Sequence, residues 1–117
     1  MAKGTAFKYN VAQQRGSSLT KTADYTITAN DILKLGYGHF IQTGTGKTFT
    51  LPAASTALKG VSIYITASTY TTKVFVSGGF GGGGTNYDTA SLAVWETAEM
   101  WCSGSYWYAL NDSVAAS

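Results

Sequence analysis

The sequence predicts an all-β fold, an antiparallel β-sandwich or small jelly-roll-like barrel with an extended N-terminal arm. Three observations carry that expectation. Thr, Ala, Gly and Ser make up nearly half of the 117 residues, and only 12% are charged. That balance excludes helical bundles, which are rich in Glu, Lys, Arg and Leu, and disordered charged tails, which carry few aromatics. Short runs alternate apolar and polar residues at period two, as half-buried strands do. Clusters of Gly, Asn, Asp and Ser separate those runs at ~8–12 residues, the spacing of turns in a sandwich or barrel. A chain this long makes one domain with one modest core.

Taken in order, residues 1–22 hold isolated apolar residues at Phe7, Tyr9 and Val11 among Gly and Ser. Their alternation suits a strand that pairs when a partner is present, and the segment reads as an arm. The body spans residues 23–111, and 112–117 reads as a flexible C-terminal tail. Tyr25–Thr28 begins the body as a strand. Asn30 is placed to cap a short helical turn over Asp31–Lys34 that Gly36 ends. Gly38–Thr43 and Lys47–Leu51 flank Gly44-Thr45-Gly46, which predicts a hairpin. Pro52 stops the second strand. Val61, Ile63 and Ile65 alternate with Ser62, Tyr64 and Thr66, and Val74 and Val76 alternate with Lys73, Phe75 and Ser77. These two runs predict a second antiparallel hairpin. Residues 78–86 are mostly glycine and predict a flexible loop with Phe80 at its tip, because ordering Gly costs the most backbone entropy. Ser91–Trp95, Glu99–Ser103 and Tyr106–Leu110 complete the strands, the last two joined by a turn at Gly104.

Charge is uneven along the chain. Lys3, Lys8, Arg15 and Lys21 precede the first acid, whereas no base follows Lys73 and four acids do. A basic arm on a mildly acidic body results. It is either a solvated tail or an arm that docks on a neighbouring copy or an acidic partner surface. Nucleic acid is not expected as a partner, since four charges without clustered aromatics bind phosphate poorly. No run approaches the ~18 apolar residues of a membrane span, and the N-terminus has no apolar core of a signal peptide. No membrane partner is expected.

The residues offer little for catalysis. Cys102 is the single cysteine and His39 the single histidine, so neither a disulfide nor a three-histidine zinc site can form. Cys102 reads as a small buried hydrophobe. Gly44-Thr45-Gly46-Lys47-Thr48 ends like a phosphate-binding loop, but Ile41 stands where the first glycine belongs and a strand follows the lysine. Glu96 and Glu99, three apart in extended chain, point to opposite faces. The expectation is a protein that is not an enzyme and uses no cofactor or metal. The aromatics are the exception. Met100, Cys102, Trp107 and Ala109 fall on a core face, and Trp101, Tyr106 and Tyr108 fall on the outer one. With Phe80, those outer residues are candidates for a subunit interface or a ligand surface.

Two segments carry a family resemblance. Gly46-Lys47-Thr48-Phe49-Thr50-Leu51-Pro52-Ala53-Ala54-Ser55 resembles a segment common in small β-modules of bacteriophage virion proteins. The strand over Gly60–Ile65 follows as it does there, and Gly104-Ser105-Tyr106-Trp107-Tyr108-Ala109-Leu110 resembles the closing strand. The resemblance covers roughly residues 23–111, through motifs that encode turns and core rather than chemistry. It implies a virion role: a capsid decoration (cement) protein, a head fibre or a tail-fibre module, usually a homotrimer. For a decoration protein the partner is the major capsid protein and the location is the capsid surface, after synthesis in the host cytoplasm. The arm residues Lys3, Phe7, Lys8, Tyr9, Arg15 and Lys21 lie outside the resemblance, and their basic, extended character fits docking on the shell. A fibre module would instead bind host surface glycans.

Overall fold

A computed structural model describes residues 17–81, 87–109 and 115–116. The arm positions Lys3, Phe7, Lys8, Tyr9 and Arg15 lie outside the described residues. The strands are β1 (Ser17–Lys21), β2 (Tyr25–Thr26), β3 (Tyr37–Gln42), β4 (Thr48–Leu51), β5 (Ser62–Ala67), β6 (Thr72–Phe80), β7 (Tyr87–Leu92), β8 (Thr97–Cys102), β9 (Trp107–Ala109) and β10 (Ala115–Ala116). One short helix, α1 (Ala29–Leu33), and a 3₁₀ turn at Thr56–Leu58 accompany them. The expectation of an all-β fold stands.

The antiparallel sandwich or barrel does not. β1, β3 and β5 pair with one another in parallel, as do β2, β4 and β6. Each pass of the chain therefore lays one strand on each of two stacks, turns a corner, and climbs to the next rung. The arrangement is β-solenoid-like. The register repeats: His39 pairs with Tyr64 and Phe49 with Val74, positions separated by the same interval of sequence. Neither expected early hairpin forms. β3 and β4 lie on different stacks, and so do β5 and β6. Gly44-Thr45-Gly46 turns a corner within a rung.

After β6 the chain reverses. β7 runs antiparallel to β6 and β8 antiparallel to β5, so that the next rung is laid down backwards. β9 and β10 then pair antiparallel with β8 and β7. The expected turn at Gly104 is this β8–β9 connection. Two residues of the stretch expected as a tail are thus strand β10, and Lys21 of the expected arm belongs to β1. The two stacks also join where Phe80 pairs with Trp107.

The core lies between the stacks. Phe40, Ile65 and Ala98 form one inward column with half-buried Leu19, and Phe49, Val74 and Ala90 form the opposing one. Phe40 and Phe49 meet edge-on at 6.1 Å between centroids, a favoured aromatic geometry. Trp107 is fully buried, and its indole Nε1 donates to the Pro52 carbonyl at 2.7 Å. Met100 and Cys102 are buried and Ala109 packs on the core, so the alternation expected for β8 and β9 holds. Phe80 is a correction. It sits at the end of β6 with no exposure rather than at a loop tip, because the strand runs on through Gly78 and Gly79.

Corners are tied rung to rung. Thr43 N donates to the Lys21 carbonyl, Ser68 N to that of Gln42, and Trp95 N to that of Ala67. Gln42, fully buried, donates through Nε2 to the Ala23 carbonyl at 3.0 Å and accepts from Gly44 N at 2.9 Å. Its amide thereby finds partners for both of its own ends and ties two corner backbone groups together. At the other corner, α1 is capped by Thr28 rather than Asn30. Thr28 Oγ1 accepts from Asp31 N, and Asp31 Oδ2 accepts from Thr28 N, a reciprocal capping box. Tyr25 donates to the same Asp31 oxygen at 2.8 Å. Burial, that hydrogen bond and the Asp31 charge push the Tyr25 hydroxyl from 10.0 up to about 12. The Lys21 ammonium sits 4.3 Å from the centre of the Tyr25 ring, which ties this expected arm residue into the fold.

Candidate functional site

The outer face of the stack built from β1, β3, β5, β8 and β9 carries two of the residues the sequence singles out, Trp101 and Tyr108, and sets others beside them. The register builds it. His39 on β3 lies beside Tyr64 on β5, and Tyr64 lies beside Glu99 on β8. One pair further along, Ser62 faces Trp101, and Trp101 faces Tyr108 on β9. Since Trp101 is two residues beyond Glu99, Tyr64 and Trp101 are diagonal neighbours, ~7–8 Å apart in such a sheet. The rings therefore run obliquely across four strands as one strip: His39, Tyr64, Trp101, Tyr108. His39 and Tyr64 meet edge-on at 6.5 Å, and Trp101 and Tyr108 are tilted at 5.7 Å. Tyr64 and Trp101 are exposed.

Polar groups flank the strip. His39 Nε2 lies 2.6 Å from Thr66 Oγ1, which lies 2.7 Å from Thr97 Oγ1, a chain of contacts across three strands. Burial lowers the His39 pKa below its ordinary 6.5. Ser62 donates its hydroxyl to Glu99 Oε2 at 2.9 Å. That bond ties the carboxylate to β5, beside Tyr64 and two residues from Trp101. At the far end the Tyr108 ring lies on the backbone of Gly81, where a Cβ would come within 2.6 Å of the ring. Only glycine allows that approach, so the start of the glycine-rich segment borders the strip.

Trp101 and Tyr108 thus come together as expected. Tyr106 is exposed in the β8–β9 turn, outside the register of the strip. Phe80 is buried and offers no surface. Tyr64, His39, Glu99 and Ser62 were not marked as site residues. Their signal in sequence is the outward phase of the β3, β5 and β8 alternation; parallel pairing of β3 with β5 brings in His39, and antiparallel pairing of β5 with β8 joins Tyr64, Ser62 and Glu99. Glu96 sits in the β7–β8 turn, accepting from Ala93 N, apart from Glu99.

Gly44-Thr45-Gly46-Lys47 caps no helix. A Cβ at Gly44 would run into the Thr22 carbonyl oxygen of the rung beneath, so this glycine serves rung stacking. Among the described residues no group of three His, Cys, Asp or Glu is placed to hold a metal, and no helix is long and apolar enough to cross a membrane.

Fold and site define an all-β protein of β-solenoid-like rungs with one aromatic outer face. Comparison of the chain with protein-family models, with curated proteins and with solved structures found no match.

Proposed function

We propose that this chain is a non-enzymatic structural protein of a bacteriophage particle, a capsid decoration (cement) protein that presents the aromatic strip as a recognition face. The observation that carries the reading is the strip itself. Exposed Trp and Tyr rings on a rigid, hydrogen-bonded sheet are the composition of contact surfaces. The likeness of Gly46–Ser55 and Gly104–Leu110 to phage virion modules supports the same role. Those segments form β4 with its following corner and the β8–β9 turn with β9, the parts that lock neighbouring rungs.

Docking on the shell falls to residues before β1, where Lys3, Lys8 and Arg15 concentrate positive charge opposite an acidic partner surface. The major capsid protein is that partner, and a homotrimer is the expected unit. The test is binding to undecorated phage capsids by the full chain and by a chain lacking residues 1–16, with mass measured by light scattering. The full chain binds as an oligomer and the truncated chain binds more weakly, with a salt-sensitive difference. Equal binding by both forms removes the arm from the mechanism. No binding by either removes the decoration role.

A further inference from the structure

We propose that the strip formed by Tyr64, Trp101 and Tyr108, with Glu99 and Ser62 beside it, is a saccharide-binding site whose ligand is a short, neutral oligosaccharide chain. The proposal rests on reading the strip as a recognition face and names what that face recognises.

The chemistry of the face selects the ligand. A sugar ring is amphipathic, with a C–H face that packs on an aromatic ring and a rim of hydroxyl and amide groups that needs hydrogen-bond partners. The strip supplies both in alternation. Tyr64 and Trp101 offer exposed rings, and Glu99 lies between them on the same face. Glu99 Oε2 is held by the Ser62 hydroxyl, while Oε1 has no hydrogen-bond partner among the described residues. A carboxylate oxygen fixed in that way accepts an amide N–H or a hydroxyl, and a charged acceptor makes such bonds about twice as strong as a neutral one. On the side of β3, His39 and the hydroxyls of Thr66 and Thr97 continue the polar rim.

Two features argue against an apolar protein segment as occupant. The exposed large side chains of this face are rings, with no cluster of aliphatic residues of the kind that fills a protein interface core. A carboxylate beside the central ring would also be buried without a countercharge, at a desolvation cost of several kcal/mol. The same carboxylate repels sialylated or phosphorylated chains, so the ligand is neutral. From Tyr64 to Tyr108 the strip crosses two strand spacings, ~10 Å at the usual separation, which suits a short chain of sugar rings better than a single ring.

The test measures binding of chitotetraose, cellotetraose and a sialylated oligosaccharide to the full chain by calorimetry and by tryptophan fluorescence. Chitotetraose and cellotetraose both bind, and the sialylated chain does not. Trp101→Ala loses at least tenfold in chitotetraose affinity while its thermal midpoint stays close to that of the parent. Glu99→Gln admits the sialylated chain, a change in preference that a merely structural role would not produce. The proposal is overturned if the parent binds none of the three at millimolar concentration, or if Trp101→Ala binds chitotetraose as well as the parent does. It is also overturned if Trp101→Ala only dissolves an oligomer. Capsid binding is scored separately: a chain that binds chitotetraose but no capsid keeps this site and loses the virion role.

Discussion

At the scale of single residues, Gln42 shows what holds a rung in place. It is fully buried, yet its amide answers the Ala23 carbonyl below and Gly44 N beside it. Gln42→Leu keeps the volume and removes both hydrogen bonds, at a cost of roughly 1–3 kcal/mol. Urea unfolding measures this as a lower midpoint with an unchanged slope. His39 gives the second residue-scale prediction. Its folded pKa lies below the ordinary 6.5 because burial disfavours the charged ring. The folded state therefore binds the proton less tightly than the unfolded chain. The stability linked to His39 is complete above about 6.5 and is lost as pH falls through the lower, folded value. His39→Gln flattens that part of the pH–stability curve, and thermal melts between pH 7.5 and 4.5 check it. Phe80 carries the opposite lesson. Its glycine neighbours read as a loop, yet its aromatic ring is core because the strand continues beneath it.

Elements were legible in sequence where side-chain phase alone defines them. β3, β4, β5, β8 and β9 fall close to where alternation placed them, and the core and outer faces of β8 and β9 were assigned correctly from Met100 to Tyr108. Partners were not legible in the same way. Gly44-Thr45-Gly46 has the chemistry of a hairpin turn, and a corner between stacks needs the same backbone freedom. What separates them is the Thr22 carbonyl against Gly44, a contact with the preceding rung. Gly44→Ala therefore destabilises by about 1–3 kcal/mol through crowding, whereas Thr45→Ala changes stability by under about 0.5 kcal/mol, as surface changes do. Chemical denaturation of the two variants side by side separates the corner from a free hairpin loop. The helix start moved for a related reason. Asn30 is a good cap by type, but Thr28 and Asp31 form the reciprocal pair and Tyr25 adds a third bond to Asp31.

For the whole molecule, the boundary of the arm has a measurable consequence. β1 pairs with β3 through Ser17–Lys21, so part of the stretch that charge and composition mark as arm is strand. Removing residues 1–22 strips a strand from the stack and lowers the thermal midpoint by several degrees or more. Removing residues 1–16 leaves all described strands in place and costs less. A scanning calorimetry comparison of the two truncations decides it, and equal losses would contradict the register. The sequence by itself determined that the protein is all-β, how apolar and polar residues alternate along β5, the start of β6, β8 and β9, and that Trp101 and Tyr108 share an outer face. These are properties of period-two alternation and residue type, which act over a few positions. Only the tertiary structure decided that strands stack in parallel rungs, that β7 and β8 run back over them, and that Tyr64, Glu99 and Trp101 lie side by side. Pairing between distant strands depends on backbone hydrogen bonds, which carry no side-chain signature, and on the closing of a rung around a shared core.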